Sequence, residues 1–234
     1  MARQVVLDTE TTGLNPKLGD RVIEIGCVEI LDRRISEQRF HAYLNPERDI
    51  EEGASRVHGL TREDLAGKPK FAEIAAAFLE FIRGAELIIH NADFDVEFLD
   101  MELGQAQLGR LKEHVARVTD TLAQARELHP GKKNSLDALC ERYFVDHSNR
   151  TLHGALLDAR LLAECYLAMT RGQESLVMEL ETPAAAAAAL AALQVDVSSL
   201  IVQRASPEEL ALHERYLDGL EEDVKVVSLW RRLG

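Results

Sequence analysis

The sequence predicts an α/β domain in which a mixed sheet is covered by helices. Three observations carry that prediction: residues 4–44 read as consecutive strands, the apolar spacing turns helical at Phe71, and beyond it helices alternate with a short apolar strand. At 234 residues and 46% hydrophobic composition, the chain can bury a full core and form one large domain with an appendage.

The strands come first. "QVVLDT", "RVIEIGCVEI" and "ISEQRFHAYL" carry β-branched and apolar residues in partial alternation, and "NPKLGD" supplies turn chemistry between the first two. A three-stranded antiparallel meander is the plain expectation. "FAEIAAAFLEFI", Phe71 to Ile82, then predicts a helix, and "AELIIHN" a short strand closed by a polar turn. "DVEFLDMEL", "NSLDALCERYF" and "ALLDARLLAECYLAM" follow as helices, the second opened by Asn134 as N-cap.

The composition changes after Gly172. In "ETPAAAAAALAAL" helix propensity favours a helix and isolation in water favours a mobile tether; its position suggests a linker. "SPEELALHERYLDGLEEDVKVVSLWRRLG" has an N-cap signal at Ser206, an amphipathic helix and the only Trp of the chain. It reads as a tail with something to bind.

Bulk properties exclude several classes. No apolar run approaches the ~20 residues of a membrane span, and "MARQVVLDTE" lacks the apolar stretch of a secretory signal, so a cytoplasmic protein is expected. Cys27, Cys140 and Cys165 are widely spaced, with no CxxC pair. They indicate neither a disulfide framework nor a zinc site, and read as buried thiols. The net charge of −13 ordinarily argues against a nucleic-acid partner, since phosphate binding is driven largely by Lys and Arg.

Some of that acid sits where a core has no ordinary use for it. Residues i and i+2 of a strand share a face, so Asp8 and Glu10 project side by side from the end of the first strand. Two adjacent carboxylates repel unless a cation or a proton lies between them. Asp158 falls in line with Leu161, Leu162 and Cys165 on a helix and therefore faces the core. Buried there it needs a bound divalent cation or, as the structural alternative, a buried Arg. A third cluster, Asp93, Asp95 and Glu97, lies just past a strand end, where α/β folds place their sites; spacing alone does not choose among the three. Hard oxygen donors from separated segments, with no Cys and no His pair, suit Mg²⁺ or Mn²⁺. His153, five residues before Asp158, reaches the same site only from the loop preceding the helix, where it suits the role of general base.

These pieces resemble a known family, the DnaQ-like or DEDDh 3′→5′ exonucleases of ribonuclease H-like fold. "LDTETTGL" gives Asp8 and Glu10, "HNADFD" gives Asp95 by its place after Phe94, and "HGALLDA" gives His153 and Asp158. "RVHGLT" around His58 and "VTDTLAQAR" with Asp120 also look like family motifs. The resemblance implies a five-stranded mixed sheet flanked by helices. It also implies Asp8, Glu10, Asp95 and Asp158 as ligands of two Mg²⁺ ions, with Mn²⁺ able to substitute, and His153 as base. Thr11, Thr12, Leu14 and His58 are then the residues that hold the terminal nucleotide.

Within that family the resemblance narrows to members that proofread for a bacterial replicative polymerase. "RGAELIIHN", "PGKKNSLDALCERY" and "RTLHGALLDARLLAECYLAMTRGQ" carry it through residue 180 or so, and "SLWRR" resembles the terminal segment that grips the polymerase (alpha) subunit. The implied organisation is an exonuclease domain over 1–172, a clamp-binding segment over 173–182, an Ala-rich linker over 183–205 and a polymerase-binding tail over 206–234. "QESLVM", Gln173 to Met178, resembles a weak sliding-clamp (beta) peptide, with Met178 where an aromatic or Leu is more usual. The implied substrate is the single-stranded 3′ end of primer DNA at the nucleoid-associated replisome. Tethering to a polymerase reconciles this with the acidic charge, since primer ends are then supplied at high local concentration; Arg126, His129, Lys132 and Lys133 offer local help. The alternative is an RNA-trimming exonuclease with the same motifs, for which the tail has no role. A non-catalytic module that merely braces a polymerase is the remaining rival.

Overall fold

A computed structural model describes residues 3–148, 150, 152–171 and 205–224. The chain divides into two units, Met1–Val177 and Met178–Gly234. The first contains a five-stranded sheet in the order β3-β2-β1-β4-β5. β1 (Arg3–Thr11), β2 (Val22–Leu31) and β3 (Arg34–Tyr43) form the expected antiparallel meander, and β4 (Glu86–Ile89) and β5 (Arg117–Asp120) add in parallel beside β1.

Helices cover both faces. Val5 and Leu7 face α3 (Phe71–Ile82) and α4 (Ala92–Gln105), in a cluster with Phe78, Leu87 and Phe98. Val6, one residue out of phase, faces the opposite way with Ile88, toward α6 (Leu136–Tyr143) and α7 (Ala155–Met169). Burial on both faces is why β1 reads as an unbroken apolar run rather than as strict alternation. Two short helices, α1 (Glu52–His58) and α2 (Arg62–Leu65), precede α3, and α5 (Thr121–Leu128) follows β5.

The same alternation distributes the polar residues at the end of β1. Asp8 and Glu10 continue the Val6 face toward α7, while Thr9 continues the Val5 face toward α4. α7 approaches closely because Asp8 pairs across the ladder with Gly26 of β2. A Cβ on Gly26 would stand 2.2 Å from the Leu156 amide nitrogen.

The expected helix at Phe71–Ile82 has those bounds, and α7 has the bounds of its motif. One cap is corrected: α6 is capped by Ser135, whose hydroxyl accepts from the Ala138 N–H, and not by Asn134. Asn134 instead donates to the carbonyls of His129 and Lys132 and accepts from Arg142, closing the α5–α6 turn.

In the second unit a helix runs from Pro207 to Val224. Ser206 caps it as expected: its hydroxyl accepts from the Glu209 N–H at 3.2 Å while its own N–H donates to Glu209 Oε2 at 2.8 Å. The clamp-binding segment, nearly all of the Ala-rich linker and the "SLWRR" segment lie outside the described residues. No helix among the described residues is long and apolar enough to cross a membrane.

Candidate active site

A cleft of about 710 Å³ opens at the end of β1, and among the residues lining it are Asp8, Glu10, Asp95, His153 and Asp158. The five residues expected to act together are therefore brought together. They arrive from three elements and one loop. Asp8 and Glu10 end β1, Asp95 stands in the first turn of α4, and Asp158 in the first turn of α7. His153 precedes that helix, whose N-cap is Gly154, so it sits on the loop as the spacing required.

The third acidic cluster resolves geometrically. Asp95 is buried and accepts a 2.7 Å hydrogen bond from the Thr9 hydroxyl, whereas Asp93 and Glu97 are exposed and Glu97 pairs with Lys17. Asn91, in the left-handed region at φ 65°, turns the chain from β4 into α4; its N–H donates to Asp120 Oδ1 at 3.0 Å. Asp120 also caps α5 through the Leu122 N–H. It braces the turn that presents Asp95.

The electrostatics are those of a site short of positive charge. Burial, reinforced by Asp95, Asp158 and Glu10, holds the Asp8 carboxyl well above the usual range. Burial and then Asp158 push Glu10 up to about 8, and burial pushes Asp95 up to about 7 against the opposing Thr9 hydrogen bond. Carboxylates that raise one another in this way are relieved by a proton or by a cation. Ligand atoms of Glu10, His153 and Asp158 lie within 4.8 Å of one another. An all-carboxylate oxygen set with one imidazole at its rim fits a hard divalent cation.

Asp158 also has the buried Arg that stood as the structural alternative. The Arg150 Nε and Nη2 groups donate to its two carboxylate oxygens at 2.6 Å each. Arg150 and its second partner, Asp137, line the same cleft, with His90, Asn91, Arg126 and Lys132. Sequence reasoning missed Arg150 and Asp137. The available signal was an Arg eight residues before a core-facing Asp, on a loop that also carries the expected base.

The residues expected to hold a nucleotide lie beside the cleft rather than in its lining. Thr12 is fully buried, its hydroxyl donating to Asp20 Oδ1, its N–H to the Arg21 carbonyl, and its carbonyl accepting from the Glu51 N–H. Thr11 donates its hydroxyl to the Gly13 carbonyl. These bonds shape the loop from which Leu14 projects, 78% exposed. His58 is buried; its Nδ1 accepts from the Leu60 N–H, which places the proton on Nε2, on the side of the Thr11 backbone. His153 is tied to the same turn: its N–H donates to the Val57 carbonyl at 3.1 Å.

Comparison with known proteins converges on one kind of protein. The RNase_T exonuclease family matches residues 5–166. The chain is 49% identical over 239 residues to DNA polymerase III subunit epsilon of Salmonella typhimurium, covering 99% of this chain and 98% of that one. It is 48% identical over 239 residues to the Escherichia coli K12 subunit, with the same coverage. Against the Rickettsia prowazekii subunit it is 44% identical over 220 residues, covering 92% of this chain and 96% of that one. Among solved structures, Exonuclease X in complex with 5′ overhanging duplex DNA superposes with a TM-score of 0.54 at 24% identity, over 72% of this chain and 92% of that one. E. coli Exonuclease I in complex with a dT13 oligonucleotide gives 0.66 at 20% identity, over 75% of this chain and 42% of that one. At those identities the two structures speak to the fold.

Proposed function

We infer the mechanism from the chain's kinship: it belongs to the exonuclease family, and its function is that of the epsilon subunit of bacterial DNA polymerase III, a proofreading 3′→5′ DNA exonuclease. The observation that carries the assignment of roles is the convergence of four carboxylates from three elements on one cleft with His153 at its mouth.

Asp8, Glu10, Asp95 and Asp158 would hold the divalent cations, assigned as two Mg²⁺ with Mn²⁺ able to substitute. When bound, these ions would neutralise the scissile phosphate and stabilise the leaving oxygen. His153, at the mouth of the cleft, takes the proton of the attacking water at Nε2, in the tautomer that carries its ring proton on Nδ1. The water oxygen bonds to phosphorus, the bond to the penultimate 3′-oxygen breaks, that oxygen is protonated, and a 5′-nucleoside monophosphate leaves. His58, buried beside the loop that carries Leu14, is assigned to the contact with the terminal nucleotide. Leu14, exposed on a loop fixed by Thr11, Thr12 and Asp20, is the apolar surface against which the last bases part. A mispaired end frays more readily and enters with less unpairing energy.

The partners follow from the same kinship. The relatives are named as polymerase III subunits, which supports a polymerase partner and a DNA substrate. The tail from Ser206 is assigned to the polymerase (alpha) subunit and Gln173–Met178 to weak contact with the sliding clamp (beta). The protein then works at the cytoplasmic, nucleoid-associated replisome.

The test is degradation of a 3′-mismatched DNA primer with Mg²⁺, comparing wild type, His153→Ala and a matching RNA oligonucleotide. Mg²⁺-dependent release of deoxynucleotides, reduced about 10²–10⁴-fold in the variant and slow on RNA, is expected. Full activity in His153→Ala would remove the base assignment, and a preference for RNA would move the protein to RNA trimming.

A further inference from the structure

Arg150 makes contacts that the mechanism above does not use. Its side chain is only 6% exposed and engages three groups together. Nε and Nη2 bind the two oxygens of Asp158 at 2.6 Å each, Nη1 binds Asp137, and Nη2 lies 3.0 Å from His153 Nδ1. A guanidinium has only donors, so in the last contact Nδ1 is the acceptor. A neutral imidazole that accepts at Nδ1 carries its proton on Nε2 and has no free lone pair. With Arg150 in this place, His153 has nothing with which to take a proton from water. Asp158, one of the four carboxylates, has each oxygen paired with the guanidinium, whose charge opposes a second cation there.

We propose that Arg150 competes with divalent cations for Asp158, and that it gives up Asp158 for Asp137 when those cations load the site, releasing His153 Nδ1. The inference rests on the metal-dependent reading above. Asp137 makes the exchange practicable. It stands in the first turn of α6, is 54% exposed, and is already held by Nη1. A guanidinium presents five N–H groups in a planar fork, so it can turn toward a second carboxylate without losing its ion pair. Once Arg150 withdraws, Nδ1 can take the proton; it lies 3.5 Å from Asp158 Oδ2. That tautomer leaves the Nε2 lone pair for the attacking water. Metal entry and activation of the base thus become one event, and a half-prepared site does not hydrolyse.

The exchange predicts opposite effects from two substitutions. Arg150→Gln removes the competing cation, so the full-length protein binds Mn²⁺ or Mg²⁺ about tenfold more tightly by titration calorimetry. Asp137→Asn removes the alternative anchor, so binding weakens severalfold. A residue that only braces Asp158 would give weaker binding in both. In ¹⁵N spectra of the wild type, His153 Nδ1 is pyridine-like in chelator and turns pyrrole-like as metal is added. Unchanged or weaker binding in Arg150→Gln, or undiminished binding in Asp137→Asn, overturns the exchange; should Arg150→Gln not fold, Asp137→Asn decides alone. A wild-type protein that takes up neither cation would remove the metal reading itself, and the exchange with it.

Discussion

Gly26 of β2 lies directly against Leu156 of α7, so closely that a Cβ on the glycine would stand 2.2 Å from the Leu156 amide nitrogen and 2.4 Å from the Ala155 carbonyl oxygen. Gly26 is also the ladder partner of Asp8. The missing side chain is what lets the first turn of α7 come down beside the end of β1 and carry Asp158 to Asp8.

Gly26→Ala therefore sets a methyl group against backbone, which cannot rotate away. The expected cost is at least about 3 kcal/mol of stability, at the upper end for overpacking. Whatever folds should hydrolyse at least about tenfold more slowly, because small misplacements at a reacting centre are costly. Urea unfolding and single-turnover kinetics on the same preparation check both. A variant with wild-type midpoint and rate would show that α7 slides freely over β2.

A second glycine sets the position of the base. Gly59 ends α1 at φ +75°, and a Cβ there would stand 2.6 Å from Leu152 Cδ1, one residue before His153. Gly59→Ala should cost about 1–2 kcal/mol from the left-handed backbone alone. It should also lower kcat, because Leu152 and the 3.1 Å bond from the His153 N–H to the Val57 carbonyl are displaced together. Adding Leu152→Ala removes the clash and leaves the backbone strain. The double variant should recover kcat more than stability, and a double-mutant cycle reads the coupling.

How much of this was legible in the sequence depends on what kind of interaction carried it. The long elements were, because Phe71–Ile82 and Ala155–Met169 have enough apolar residues for their period to stand out. Among the short ones β4 was legible as the apolar run "LII", but β5 is four residues with Val118 as its lone apolar side chain, and α2 is held by a Thr61–Asp64 capping box rather than by an apolar stripe. The cap at Ser135 rather than Asn134 turned on one residue of offset between two good cappers. The carboxylates were legible because an acid on a core-facing position is conspicuous. Gly26 and Arg150 were not, since their roles lie in contacts between segments far apart in the chain or on a loop with no period.

The acid cluster should make metal-free stability fall with rising pH. Glu10 moves from an ordinary value of 4.5 to about 8 and Asp95 from 3.8 to about 7, burial being the first cause for each, and Asp8 is raised well above its ordinary value. Between those limits the unfolded chain has released protons that the folded chain keeps. Unfolding is then favoured as pH increases, with the Asp95 and Glu10 contributions full below the unfolded values and lost as pH passes about 7 and then about 8. Divalent cations favour the ionised carboxylates and should flatten the slope. Melting temperatures in chelator should drop by several degrees from pH 5 to pH 8, and much less in Mg²⁺. A flat or rising profile in chelator would mean that Arg150 and solvent already neutralise the cluster.

Removal of residues 183–234 should separate hydrolysis from recruitment. The carboxylates, His153 and the sheet with both of its apolar clusters all lie within the Met1–Val177 unit. The truncated protein should therefore degrade free single strands at the wild-type rate while losing co-purification with the polymerase (alpha) subunit. On a mismatched primer held by polymerase its advantage should vanish, because a tether supplies ends at an effective concentration on the order of millimolar and a free enzyme must find them by diffusion. That loss should be largest at physiological salt, where a chain of net charge −13 has little hold on DNA of its own. If hydrolysis of free strands fell together with recruitment, the tail would belong to the catalytic fold, and tethering would no longer account for how so acidic a protein works on DNA.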